Sequence, residues 1–228
     1  MTEFLSSLFG GEMLSFYGNA VLATLKITLI STVISYIFGI PLGVILYGTS
    51  KGSIFPNKAV NGTVGFIVNI IRSIPFIILL VMTQPLAKIA VGTKLGDNAF
   101  IFHLVIAAIP YIARMVESSL SEVDHGVIEA AQSMGSNNMQ IVCKVLLPEA
   151  KPSLIVGSAI VVTTILGYTP MTYLIAGGGL GQAAIQYGLY RHQSEIMYIS
   201  SVLLILVVQV MQEVLGHLAK SCDKRIRH

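Results

Sequence analysis

Five stretches of this chain stay apolar over about the length that a lipid bilayer demands, and no other feature of the sequence restricts its fold as strongly. A hydrocarbon core of about 30 Å takes roughly 20 mostly apolar residues in a helix. Runs of this kind cover about Val21 to Tyr47, a window within Val60 to Met82, about Ala99 to Val116, Leu154 to Ala176, and Ile196 to Leu218. Each is more apolar over its length than the buried helices of globular proteins. The second window has the loosest limits, since its span can begin as late as Ser73. With 54% hydrophobic and 11% charged residues, a chain of 228 residues carries more apolar surface than a soluble core can hide. The expected fold is an all-α membrane protein with about five transmembrane helices in one domain spanning residues 1–228. No Lys or Arg precedes Lys26, and the first run is too long for the core of a signal peptide, so it is expected to be retained.

Orientation follows from the cations. With the N-terminus outside and the C-terminus inside, Lys51, Lys58, Arg114, Lys144, Lys151, Lys220, Lys224, Arg225 and Arg227 fall on the cytoplasmic side. Lys88, Lys94 and Arg191 then face out, and Lys26 can snorkel from the outer end of the first helix. The net charge of +3 gathers in the tail from Lys220 to His228, which reads as an anchor against anionic lipid and not as a nucleic-acid site. Cys143 and Cys222 both fall on the reducing side, so no structural disulfide is expected. His103, His125, His192, His217 and His228 scatter without metal-ligand spacing, and no metal site is expected.

Between the third and fourth runs lies a polar insertion of about residues 117–151, far longer than a connector needs. Val127 to Met134 reads as a short helix with one apolar face, broken by Gly135. Asn137 can cap a second helix, with Gln140 three residues on as in a capping box, and Ile141, Val142, Val145 and Leu146 supply its apolar stripe. Pro148 is expected to stop it. Such a knob either lies on lipid headgroups or plugs the groove of a partner protein. Ala130 and Ala131 permit close approach beside the single acid Glu129, and the scarcity of Lys and Arg weakens the lipid reading.

At these residues the sequence resembles a known family. Glu129-Ala130-Ala131, then Gly135, Val145 and Leu147-Pro148, is similar to the EAA loop of ABC importer permeases, with Val145 where that family often has Ile. The resemblance implies the type I importer permease fold. It also implies that Glu129, Ala130, Ala131 and Gly135 couple to an ATPase subunit, with Leu147 and Pro148 setting the return to the membrane. Ile71 to Leu80, Pro110 to Glu117, Lys144 to Ala150 and Ala176 to Gln182 further resemble the methionine importer permeases, over roughly residues 15–220. That second resemblance implies transport of L-methionine, with D-methionine as a second substrate, across the cytoplasmic (inner) membrane. The match departs at Thr169 to Ile175, beside the presumed passage. Another amino acid or a small peptide is the alternative cargo, and an ion-coupled carrier is the rival machine. The odd number of spans and the absence of a clear repeat disfavour that rival.

Tyr168 and Met171 can narrow the passage, and thioether and aromatic surfaces suit a sulfur-containing substrate; Met171 fits core packing equally well. Arg72 either touches a substrate carboxylate or marks the end of the second span with its charge in the headgroups. Arg114 and Glu117, three residues apart on one helix, can pair. Gly177 to Gly181 lacks the Gly-Lys-Ser/Thr ending of a phosphate loop, so it reads as an external turn that needs unusual backbone angles. No Walker-type loop occurs in the chain. The chain is therefore not expected to be an enzyme or to hold a cofactor. ATP and magnesium are assigned to a separate ATPase subunit. The expected assembly is a homodimer with two ATPase chains and an extracytoplasmic substrate-binding protein.

Overall fold

In a computed structural model of the protein, residues 11–222 are described, with side chains through His217; the basic tail from Lys220 lies outside the described side chains. Every regular element among the described residues is helical. Helix α1 (Gly11–Gly48) begins earlier than the apolar run that predicts it and carries Pro41 within it. Asn57 opens α2 (Lys58–Ser73), its side chain accepting the N–H groups of Ala59 and Val60 at 3.1 Å each. Then Ile74 turns extended, with φ −83° and ψ 123°, because the ring of Pro75 crowds the helical conformation of the residue before it. The window expected to hold one span is thus two helices, and α3 (Phe76–Val91) begins after the break. Helix α4 (Gly96–Ser121) comes next.

The insertion forms α5 (His125–Ser133) and α6 (Asn138–Ile141). The second arm does not stop at Pro148. It runs through a π-helical stretch, Val142–Leu146, into α7 (Leu147–Glu149) and, after Ala150 alone, into α8 (Lys151–Tyr168). The physical reason is the widened turn: Leu147 N–H reaches back to the carbonyl of Val142, one residue beyond the α pattern, so the ladder is already open where Pro148 has no N–H to give. A 3₁₀ stretch, Thr169–Ile175, ends α8, and α9 (Leu180–Ala183), a π-helical stretch Ala184–Tyr190 and α10 (Ser194–Cys222) complete the chain. Four helices are long and apolar enough to cross a membrane, or five when the bent pair α2 and α3 counts as one span.

The chain divides into two compact units, each assembled from three stretches. One gathers the described residues through Val33 with Phe76–Val105 and Val162–Gln212. Here Thr83 donates to the carbonyl of Leu79 (2.7 Å) and meets Nδ1 of the fully buried His103, also at 2.7 Å, which ties α3 to α4.

The other unit holds Ile34–Pro75, Ile106–Val161 and the described residues from Glu213 onward. Gly39 and Gly43, one turn apart on α1, let α4 approach to backbone contact. A Cβ at Gly39 would lie 2.6 Å from the Ile112 side chain, and one at Gly43 would lie 2.6 Å from the Ala113 carbonyl oxygen. This is the small-x-x-x-small geometry of membrane helix pairs. Leu46, Val68 and Ala113 form a buried cluster beside them. Arg114 joins the same unit to α2: Nη1 donates to Glu117 (2.7 Å), and Nη2 to Asn69 (2.9 Å) and to the carbonyl of Gly65 (3.3 Å). The expected Arg114–Glu117 pair is present, and it also carries helix-to-helix bonds.

Candidate functional site

The knob of residues 125–149 is built to hold its own shape. Asp124 caps α5 by accepting the N–H of Gly126 at 2.7 Å. Ile128 and Ala131 turn inward, where α5 meets the second arm with its buried Ile141, Val142 and Leu146. Asn137 accepts the Gln140 N–H (2.8 Å) while Gln140 Oε1 accepts the Asn137 N–H (2.9 Å), so the capping box expected from the sequence is formed in full. Val142 and Leu146 close the apolar stripe.

Between the arms, Gly135 takes φ +79°. Its N–H donates to the Gln132 carbonyl (2.9 Å) and the Ser136 N–H to the Ala131 carbonyl (3.1 Å), which together make a Schellman ending. A Cβ at Gly135 would meet nothing within 4 Å, so any cost of substitution is conformational and not steric. Gly135→Ala is expected to lower the unfolding free energy by about 1–2 kcal/mol. Gly135→Asn, which tolerates the left-handed region, is expected to lower it by less. Thermal unfolding of the solubilised protein ranks the pair, and equal losses would contradict a purely conformational role.

The outward side of the knob is mixed. Glu129 and Ala130 are exposed, so the two alanines have different roles: Ala131 packs into the knob and Ala130 faces out. Val127, Ala130 and Met134 are spaced three and four residues apart and share one helix face, with Val127 at 42% and Met134 at 80% exposure. Met139 is 72% exposed on the second arm. Glu129 makes no ion pair with a described residue. A rigid apolar face beside one unpaired acid is suited to a protein groove. Leu147 is half-buried and Pro148 exposed at the base of the arm.

The residues assigned to the passage fall in different units. Tyr168, half-buried, stacks on Phe76 with centroids 4.4 Å apart and planes at 19°, and Phe76 meets Phe100 edge-on at 5.8 Å. Met171 is half-buried in the 3₁₀ stretch. Arg72 belongs to the second unit, exposed, its guanidinium 5.9 Å from the Tyr111 ring centroid.

The glycine-rich run behaves as a clamped turn. Ala176 (φ 51°) and Gly179 (φ 114°) adopt positive angles, so one of the unusual positions falls on an alanine. Gly177 N–H bonds to Thr172 (3.0 Å), Gly178 N–H to the Asp97 carboxylate (2.7 Å) and Leu180 N–H to Thr24 Oγ1 (2.9 Å). These donors serve the fold and are not left for a phosphate. Nothing in the sequence marks Asp97 for this role beyond its place in the first turn of α4. The glycine pair of α1 does carry a signal, the small-x-x-x-small spacing Gly39-Ile40-Pro41-Leu42-Gly43. Among the described residues no group of His, Cys, Asp or Glu is arranged to hold a metal.

Residues 39–228 match the family described as binding-protein-dependent transport system inner membrane component. The chain is 43% identical over 207 residues to the probable D-methionine transport system permease protein MetI of Vibrio cholerae, covering 91% of this chain and 92% of that one. It is 42% identical over 181 residues to the methionine import system permease protein MetP of Bacillus subtilis, covering 79% and 82%. Among solved structures, the inward-facing MetNI methionine ABC transporter superposes with a TM-score of 0.92 at 41% identity, over 95% of this chain and 100% of that chain. An amino acid ABC transporter with histidines matches at 0.76 and 18% identity over 96% and 98%, a likeness of fold alone.

Proposed function

The chain belongs to the family of binding-protein-dependent transport system inner membrane components, with the type I ABC importer permease fold, and we propose that it is the membrane subunit of an ATP-driven methionine importer. The observation that carries this reading is the likeness to two permeases named for methionine transport, over 91% and 79% of this chain, together with the likeness to MetNI. Both L- and D-methionine are proposed as cargo. The N-terminus lies outside and the C-terminus inside, which puts the knob in the cytoplasm of a cell whose inner membrane holds the chain. A second copy completes the passage, two ATPase subunits hydrolyse ATP with magnesium, and an extracytoplasmic binding protein delivers substrate.

In this mechanism Glu129, Ala130, Ala131 and Gly135 form the coupling element, and Leu147 and Pro148 the return to the membrane. The ATPase groove receives Val127, Ala130 and Met134, with Glu129 read by a cation at its edge. The knob moves as a body because its core, capping box and Schellman turn are internal. Its second arm is continuous with α8 apart from Ala150, whose own N–H bonds to the Leu146 carbonyl and whose carbonyl accepts the Leu154 N–H, both at 2.9 Å. A push on the knob is therefore passed directly into a membrane helix. Tyr168 and Met171 are proposed to narrow the passage, and Arg72, in the other unit, is proposed to meet a substrate carboxylate.

Substrate assignment is tested by identifying what the partner binding protein carries and by competition against labelled L-methionine uptake. L- and D-methionine should compete where leucine, glutamine and dipeptides do not. Uptake of another labelled amino acid with no uptake of labelled L-methionine would reassign the cargo within the same family.

A further inference from the structure

One cavity is lined by none of the residues assigned to the knob or to the passage. It measures about 330 Å³ and is lined by Tyr173, Ala176, Gln186, Tyr190 and Arg191, all within one compact unit. That volume suits a small metabolite. Its chemistry is unequal: one cation, one carboxamide and two aromatic rings.

The cation is held in place. The Arg191 guanidinium sits 4.6 Å from the centroid of the Tyr187 ring, and Tyr187 is braced edge-on by Phe16 at 5.2 Å. The guanidinium carbon lies over the Tyr187 ring face, and the Arg191 N–H groups donate to no described residue, which leaves them to bind. No carboxylate among the described residues pairs with it. Gln186 accepts a hydrogen bond from Gln182 at its Oε1, which leaves its own NH₂ as a donor. Tyr173 and Tyr190 stand with ring centroids 6.1 Å apart, tilted by 44°, as two apolar walls. The turn past Arg191 is set by His192 at φ +55° and by the Gln193 N–H bonding to the Tyr187 carbonyl at 2.9 Å.

We propose that this cavity binds a free apolar amino acid, with its α-carboxylate on the Arg191 fork and the Gln186 NH₂ and its side chain against Tyr173 and Tyr190. A planar guanidinium matches a carboxylate with two parallel bonds, and aromatic faces favour a thioether or aliphatic chain. The site rests on the importer reading above, in which Arg191 lies on the outer side and the cavity holds substrate before it crosses.

The test uses the chain assembled with its ATPase subunits in lipid nanodiscs without nucleotide, and measures binding by ligand-observed NMR. L-Methionine should bind at least tenfold more tightly than L-methioninol, which lacks the carboxylate, since losing the Arg191 contact alone at about tenfold corresponds to about 1.4 kcal/mol. Arg191→Ala should weaken L-methionine about tenfold and leave L-methioninol unchanged, with Arg191→Lys between. Gln186→Ala, which spares the Tyr187 stack, should weaken L-methionine about fivefold. High salt should act in the same direction as Arg191→Ala. Undiminished L-methionine binding in Arg191→Ala overturns the site, and if uptake by that variant is also normal the importer reading stands without it. An Arg191-dependent site that prefers leucine to methionine keeps the site and overturns the methionine assignment. Absence of binding by any apolar amino acid overturns the site.

Discussion

Gly43→Leu is expected to abolish the folded permease. A Cβ at this position would lie 2.6 Å from the Ala113 carbonyl oxygen and 2.6 Å from the Val116 Cβ, so the obstacle includes backbone of a neighbouring helix and not merely a flexible side-chain tip. One extra methylene in a filled core costs about 1–3 kcal/mol. Leucine adds four carbons, and α1 and α4 must separate to receive them. Separation would also disturb the Leu46, Val68 and Ala113 cluster next to the contact. Gly43→Ala should be milder but clearly destabilising. Gly62→Leu is the control, since nothing lies within 4 Å of a Cβ there. The measurement is the yield of monodisperse, protease-resistant protein extracted from membranes. Recovery of Gly43→Leu at the level of Gly62→Leu would refute the close packing of these helices.

Glu129→Lys should have the second large effect, and of a different kind. Glu129 is exposed and its side chain is outside the knob's buried core, so charge reversal should leave membrane insertion, extraction yield and thermal stability near those of the parent. On the proposed coupling role, it should instead weaken ATPase association and lower ATP-dependent uptake by about tenfold or more, since a charge-assisted contact worth about 1.5–3 kcal/mol is lost and a like charge is set against the partner's cation. Co-purification with the ATPase subunits and uptake in proteoliposomes report the two quantities separately. Normal values of both would remove Glu129 from the coupling element.

Much of this molecule is legible from periodicity because the bilayer imposes a length and the knob obeys local rules. Asn137 and Gln140 fulfil a capping box that depends on residues three apart, and Gly135 fulfils a left-handed turn that other residues resist. Two local readings needed the structure. Pro148 signals a stop, yet the π-helical turn before it removes the clash that would have made it one. The window of residues 60–82 looks like one span, but Pro75 excludes Ile74 from the helix and divides it. Long-range features were less visible. The Thr83–His103 bond and the Asp97–Gly178 bond join residues far apart in sequence, and neither residue type announces its partner. Arg114 shows the limit plainly: its pairing with Glu117 follows from helical spacing, whereas its bonds to Asn69 and Gly65 follow only from how α2 and α4 meet.

The proposed coupling between knob and ATPase is tested most directly by methionine uptake into proteoliposomes containing this chain. Labelled methionine should accumulate only when the ATPase subunits, ATP with magnesium at the knob side and the substrate-binding protein at the opposite side are all present, and should stop when ATP is replaced by a non-hydrolysable analogue. Accumulation that proceeds without the ATPase subunits and follows an imposed proton or sodium gradient would contradict an ATP-driven importer.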